Sequence, residues 1–363
     1  MMHSRLGLES LSRKWGRFRV FVLIMALWSL GLAGCDTRLP DELHYTGAIM
    51  GTYYSVKVTR DLAAPMDGRK DIDSKRLEKD IEAILVRIDG NMSTYRKESE
   101  LSRFNASAST DWFPVSQDLY TVVDEALSVS RLTDGAFDIT IGPLVNLWGF
   151  GPEKNEGDVP STAELRATMA RTGYRKLATR DIPPALRKDH PRLYLDLSAI
   201  AKGFAVDRIA EHLEEMGFVD YLVDVGGELR ARGKSAKGKP WRVAIEKPVP
   251  GQRDIHRIIT VDDRAVATSG DYRNFFEQDG KRYSHTIDPK SGQPVTHTLV
   301  SVTVLDARAM RADALATAIS VLGPEAGYAL AERENIPVWL ITKTEQGFRD
   351  LNTPGFAEFL ARD

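Results

Sequence analysis

Cysteine is almost absent: the chain of 363 residues has one, Cys35. No intramolecular disulfide can form, so the fold relies on its core, and neither a cysteine nucleophile nor a thiolate metal site is open to its chemistry. An excess of basic charge is missing too. Lys and Arg number 49 against 51 Asp and Glu, for a net −2, which argues against nucleic acid as the main partner. Self-similarity at a fixed period is lacking, which excludes solenoid and propeller arrays. Neither a G-x-G-x-x-G nor a P-loop spacing occurs, so the common phosphate-cradling loops are excluded as well. What remains is an ordinary globular composition, 42% apolar and 28% charged, in a chain long enough for one large domain or two modest ones. No linker interrupts residues 46–350, which favours a single unit.

The N-terminus differs from the rest. Arg5, Arg13, Lys14, Arg17 and Arg19, opposed by Glu9, precede an uncharged run from Val20 to Leu32. That run is too short for an ordinary membrane-spanning helix and fits the core of a signal peptide. It ends in Leu32-Ala33-Gly34-Cys35, which resembles a bacterial lipoprotein signal with Cys35 as the lipidated first residue. The other readings are a plain secretory signal or a short anchor helix. Subtracting the +4 of residues 1–34 from the whole chain's −2 leaves −6 for the remainder. Asp36 resembles a residue that retains lipoproteins at the inner membrane, on its periplasmic side. The expected division is a signal peptide (1–34), a lipidated polar tether (35–45), a catalytic unit (46–350) and a C-terminal tail (351–363).

Periodicity predicts a strand over 52–58, with Tyr54, Val56 and Val58 on one face, and a loop over 61–70. Leu77, Ile81, Ile84, Leu85 and Ile88 recur at helical spacing, with Gly90 as C-cap. A second helix is predicted over 117–132. A third opens on the capping box Ser161/Glu164 and stops near Gly173. Residues 193–197 read as a strand turning directly into a helix over 198–216, closed by Gly217. Strands follow at 221–225, 228–232, 241–246, 255–261 and 281–287, with Asp279-Gly280 as a hairpin turn. A strand at 300–305, a helix at 310–322 ended by Gly323-Pro324 and a strand at 336–342 complete an α+β pattern.

Several segments carry candidate chemistry. Asp313 and Thr317 are four residues apart on one helix face and offer the hard oxygens magnesium prefers; a helix-start carboxylate and an ordinary threonine would give the same spacing. Asp196 and Lys202 flank a helix mouth that either accepts an anion or is simply capped by Asp196 or Ser198. Gly135-Ala136-Phe137-Asp138 and the aromatics Trp148 and Phe150 between glycines suit a flat heterocycle, or else a turn with core aromatics. Tyr95 is placed either to stack on a ring or to sit on the surface. Asp224-Val225-Gly226-Gly227-Glu228 reads as a hairpin turn. His285, in Tyr283-Ser284-His285-Thr286-Ile287-Asp288-Pro289, is either a base for a hydroxyl nucleophile or a structural histidine.

The order of these segments is more specific than any one of them. Met50-Gly51-Thr52, Gly135-Ala136-Phe137-Asp138, Leu195-Asp196-Leu197-Ser198-Ala199-Ile200-Ala201-Lys202-Gly203, Asp224-Val225-Gly226-Gly227-Glu228, Ser269-Gly270-Asp271-Tyr272, His285-Thr286-Ile287-Asp288-Pro289 and Ala312-Asp313-Ala314-Leu315-Ala316-Thr317-Ala318 together resemble the ApbE family. Its members are FAD:protein FMN transferases. The resemblance covers about residues 46–345. It implies an α+β architecture with a T-fold-like module, in one compact catalytic unit. It also implies FAD as substrate, Mg²⁺ as cofactor, and transfer of FMN to a Ser or Thr of a partner flavoprotein with release of AMP. Carried over residue by residue, Asp313, Thr317 and the Ala199 carbonyl would hold the metal. Met50, Tyr95, Ala136, Phe137, Asp138, Asp196, Lys202 and Ile287 would contact FAD, and His285 would be the base. The acceptor implied is a subunit of a membrane redox complex, such as a sodium-pumping quinone reductase or an Rnf-type complex. Two other activities fit the same residues: a Mg²⁺-dependent FAD pyrophosphatase giving FMN and AMP, and a non-catalytic FAD-binding lipoprotein.

Overall fold

Tyr54, Val56 and Val58 are all buried, and the strand they define belongs to a large antiparallel sheet. A computed structural model describes residues 41–60, 73–152, 159–249, 251, 254–270, 275–278 and 281–361. The signal and lipidation readings at 1–34 and Cys35, the loop at 61–70, and the pairs Asp271-Tyr272 and Asp279-Gly280 lie outside the described residues.

In chain order the first half comprises β1 (Asp41–Ile49), β2 (Thr52–Arg60), α1 (Ser74–Met92), α2 (Glu100–Ala106), β3 (Phe113–Pro114), α3 (Gln117–Leu132), α4 (Gly142–Leu147), α5 (Thr162–Met169), β4 (Leu177–Arg180) and β5 (Ala185–Lys188). The second half comprises α6 (Ala201–Glu215), β6 (Tyr221–Val225), β7 (Glu228–Arg232), β8 (Trp241–Glu246), β9 (Ile255–Val261), β10 (Arg264–Gly270), β11 (Phe275–Gln278), β12 (Lys281–Ser284), β13 (Leu299–Asp306), α7 (Ala309–Arg333), β14 (Val338–Thr344) and β15 (Gly347–Asn352). Eight strands form one sheet in the order β1-β2-β6-β7-β10-β13-β14-β15, and every neighbouring pair is antiparallel.

The period of two along these strands sends alternate residues to two cores. Ala265, Ala267, Val302, Val304, Val338 and Leu340 join the helices on one face. Val266, Leu305, Trp339 and Ile341 face a second cluster formed with Trp241, Ile245, Ile259 and Val261 of the β8–β9 hairpin. Helix α7 is the one described helix both long and apolar enough to cross a membrane. Its contacts with β10, β13 and α6 identify it as the central core helix.

The α+β expectation holds, with corrections at the edges. Strand β1 begins at Asp41, inside the segment expected to be a tether. Gly90 lies within α1, which runs on to bury Met92 and is capped by Ser93. The helix opened by the Ser161/Glu164 capping box ends at Met169 rather than near Gly173. Residues 193–197 form no strand, and α6 starts at Ala201 behind Ile200, which supplies no side-chain cap. Strand β12 ends at Ser284, so His285 lies just beyond it. Gly323, at φ 80° and ψ −179°, breaks the helical conformation where the Gly323-Pro324 signal places the helix end, and a second helical run continues α7 to Arg333. The supposed tail contains β15 to Asn352 and the fully buried Phe356, so the fold runs past residue 350.

Candidate active site

A cleft of about 350 Å³ opens where these elements meet. Four stretches far apart in sequence build it: residues 136–141, 196–202, 285–289 and 313–321. Tyr95, Ala136, Phe137, Asp138, Asp196, Ala199, Lys202, His285, Ile287, Asp313 and Thr317 all line it. Met50 does not. It occupies the β1–β2 turn at φ 52°, followed by Gly51 at φ 73°, and packs against the main core.

The charged end of the cleft is centred on Lys202. Its Nζ lies 2.7 Å from Glu228 Oε2 and 3.9 Å from Asp313 Oδ1. Burial works against the ammonium, but Asp313 and Glu228 outweigh it and hold its pKa above the ordinary lysine range. Burial pushes Glu228 up to about 7, with Lys202 opposing and Asp313 adding. Burial also raises Asp313, against the pull of Lys202 and of the Gly203 N–H. Two backbone features make room for the lysine. The β6–β7 turn uses Gly226 and Gly227 at φ 66° and 102°, the conformation that matches hairpin twist and disfavours a Cβ. A Cβ on Gly226 would also lie 2.8 Å from the Thr52 methyl and 3.3 Å from Lys202 Cδ.

Asp313 Oδ2 accepts a hydrogen bond from Gly203 N–H at 3.1 Å. Gly203 therefore bonds a side chain instead of the carbonyl of Ala199, four residues back. Among the described residues no donor reaches that carbonyl. The mouth of α6 is otherwise closed, since Ala201 N–H bonds Leu197 O at 2.8 Å. The expected row of free N–H groups is thus largely used up, and Lys202 supplies the positive charge. Asp207, one turn further along α6, accepts from Ala309 and Met310 N–H at 2.8 and 2.9 Å and fixes the start of α7. Asp313, Thr317 and Ala199 line the same cleft, and a carboxylate, a hydroxyl and a carbonyl are oxygen donors of the kind a hard divalent cation takes. Among the described residues no group of three or more His, Cys, Asp or Glu side chains offers an alternative metal centre.

The other carboxylates differ in function. Asp138 is buried, which raises its pKa against opposing hydrogen bonds. Its oxygens accept from Thr140 N–H and Oγ1 at 2.8 and 2.7 Å and from Tyr174 N–H at 2.8 Å, so it shapes the 136–141 wall. Asp196 is half-buried; its Oδ1 takes the Ser198 N–H and its own N–H bonds Ile139 O, both at 2.8 Å. Tyr95 stands 72% exposed at the rim.

Phe150, which lines the apolar end of the cleft, is backed by an aromatic cluster. Tyr283 stacks on Phe276 at 4.9 Å and on Trp148 at 5.6 Å between centroids. Phe150 meets Phe276 at 5.5 Å and His285 edge-on at 6.3 Å. Glu228 is the main residue the sequence reading missed. The available signal was an acidic residue directly after the glycine turn, at a strand position that alternation turns inward.

With this geometry established, comparison with known proteins is decisive. Residues 50–340 match the model of the ApbE family. A Vibrio cholerae protein named FAD:protein FMN transferase is 48% identical over 340 residues, covering 93% of this chain and 99% of its own.

The chain belongs to the ApbE family.

An Escherichia coli protein of the same name is 40% identical over 357 residues, covering 95% of this chain and 98% of its own. Among solved ApbE structures, the Vibrio cholerae flavin transferase superposes with a TM-score of 0.81 over 88% of this chain and 100% of its own, at 48% identity. The Pseudomonas stutzeri flavinyl transferase in its apo form gives 0.81 over 90% and 99%, at 41% identity. The α+β architecture described above is therefore that of the ApbE flavin transferases.

Proposed function

We propose that this chain is an FAD:protein FMN transferase that needs Mg²⁺ and moves the FMN half of FAD onto a Ser or Thr hydroxyl of a partner flavoprotein, releasing AMP. That it is a transferase enzyme acting on a flavin nucleotide follows from its family membership. The observation that carries the finer reading is the cleft itself. One end is lined by Phe137 and Phe150 with Ile139, Ile141 and Val145, a surface for a flat ring. The other joins an oxygen donor set to Lys202.

In this reading the acceptor hydroxyl oxygen attacks the phosphorus of the FMN half. The bond from that phosphorus to the bridging oxygen breaks, and AMP departs with that oxygen. His285 takes the proton lost by the hydroxyl. Lys202 faces the negative charge that grows on the leaving phosphate. Asp313, Thr317 and the Ala199 carbonyl would hold Mg²⁺, which when bound supplies charge stabilisation to pyrophosphate oxygens. Phe137, Ala136, Ile287 and Tyr95 position the nucleotide, and Asp196, whose N–H bonds Ile139 O beside them, orients it. The acceptor we favour is a subunit of a membrane redox complex. The N-terminal sequence supports a location at the periplasmic face of the inner membrane, anchored by a lipid on Cys35.

The test uses FAD, Mg²⁺ and a candidate acceptor domain bearing the target threonine. AMP release tied to a mass gain of one FMN phosphoryl adduct on that domain supports the transferase. AMP and free FMN formed regardless of acceptor would replace it with a pyrophosphatase, and flavin binding without AMP under any condition with a proven acceptor would replace it with a carrier.

A further inference from the structure

The segment that brings Asp196 to the cleft has no strand ladder to hold it. Leu193, Leu195 and Leu197 are fully buried, while Tyr194 and Asp196 alternate with them. A slip of one residue would therefore present a leucine where Asp196 stands.

The bond from Asp196 N–H to Ile139 O and two side chains from elsewhere hold the register. Asn105, near the end of α2, accepts from Leu195 N–H through Oδ1 at 2.8 Å and donates through Nδ2 to Leu195 O at 2.9 Å. This is the bond pair a neighbouring strand would make. Lys188, the last residue of β5, is 1% exposed and has no carboxylate within ion-pair distance among the described residues. Its Nζ donates to Phe104 O at 3.0 Å, Leu193 O at 3.3 Å and Asn105 O at 3.5 Å. It also lies 4.9 Å from the centre of the Phe104 ring. An ammonium is the one side-chain group with three donors on a single atom. Two of its acceptors are last-turn carbonyls of α2, the negative end of that helix. Lys188 thus ties α2 to Leu193, and Asn105 ties it to Leu195.

We propose that Asn105 and Lys188 are positioning residues that set Asp196 against the flavin nucleotide. The proposal rests on the reading that Asp196 contacts FAD. Neither residue lines the cleft, so both act through the backbone of 193–197.

The test is a double-mutant cycle in the full chain, read as FAD affinity by titration, with the melting temperature of each variant measured alongside. Asp196→Ala, Asn105→Ala and Lys188→Met are each expected to weaken FAD by roughly tenfold. Asp196→Ala combined with Asn105→Ala is expected to bind no more weakly than Asp196→Ala alone, because both remove one contact. Multiplying losses would overturn the positioning role and leave a general structural one. A weakened Asp196→Ala beside an unchanged Asn105→Ala and Lys188→Met would overturn it too, with the reading of Asp196 intact. Wild-type affinity in Asp196→Ala would overturn that reading and the proposal with it. Should Asn105→Ala not fold, Asn105→Asp, which keeps the acceptor and loses the donor, enters the same cycle.

Discussion

Lys202 pairs with Glu228 at 2.7 Å and stands back from Asp313 at 3.9 Å. The glutamate thereby keeps the ammonium from closing on the carboxylate that is proposed to bind metal. Glu228→Gln removes the competing charge and lets Lys202 move toward Asp313. The half-saturating Mg²⁺ concentration for AMP release should rise about tenfold or more. A Mg²⁺ titration identical to that of the parent would show that Glu228 has no such role.

Thr317 tests the donor set with little change of shape. Thr317→Val keeps the volume and removes the oxygen, and should lower turnover roughly 10- to 100-fold at fixed Mg²⁺. Thr317→Ser keeps the oxygen and should retain most activity. Equal activity in both variants would remove the hydroxyl from the metal site.

His285 is expected to act on the acceptor and not on FAD. His285→Gln should reduce transfer by about 10²-fold or more while FAD affinity stays within a factor of two or so. A parallel loss of binding would assign the ring a structural role against Phe150.

The approach of α6 to α7 is backbone against backbone. A Cβ on Gly203 would lie 2.3 Å from the Ala309 carbonyl oxygen and 2.7 Å from Met310 Cα. Gly203→Ala should cost about 2–3 kcal/mol and displace Asp313, whose carboxylate bonds the Gly203 N–H. Chemical denaturation measures the first effect and AMP release the second. Parent-like values for both would contradict the packing.

Asp207 makes stability depend on pH. Burial raises its pKa from 3.8 to about 6. The unfolded chain therefore loses this proton first as pH rises. Between about pH 4 and 6 the folded state binds more protons, so this contribution to stability falls with rising pH and is flat above that window. The total is of order 3 kcal/mol. Asp207→Asn keeps an acceptor for one of the two α7 N–H groups, removes the titrating carboxyl and should remove this slope. Urea denaturation at pH 4, 5, 6 and 7 compares the two proteins, and parallel curves would refute the assignment.

Much of this was legible in the sequence because local signals agreed with the final packing. Alternation at Tyr54, Val56 and Val58 marked a strand buried on one face, and the capping box at Ser161 marked its helix. The ordered motifs brought Asp313, Thr317, Lys202, Asp196 and His285 to one cleft. The failures share a cause. Residues 193–197 look like a strand because their leucines alternate, but Leu195 is paired by the Asn105 side chain 90 residues away and Asp196 by the Ile139 carbonyl, which no local pattern records. Glu228 looked like the end of a turn, because its partner Lys202 comes from a helix. Met50 shares the motif series without reaching the cleft, since the turn directs it to the core.

The contact between Gly203 and Ala309 also bears on how a nucleotide gets in. Helices whose backbones touch cannot separate by rotamer changes, so the wall carrying Lys202 and Asp313 behaves as one stiff block. Clearance for an incoming dinucleotide is left to the wall formed by the exposed Tyr95 rim and the turn after His285. Association and product escape are then timed by that wall. Substitutions there should change the rate constants for entry and exit while leaving the charged end of the cleft as it is.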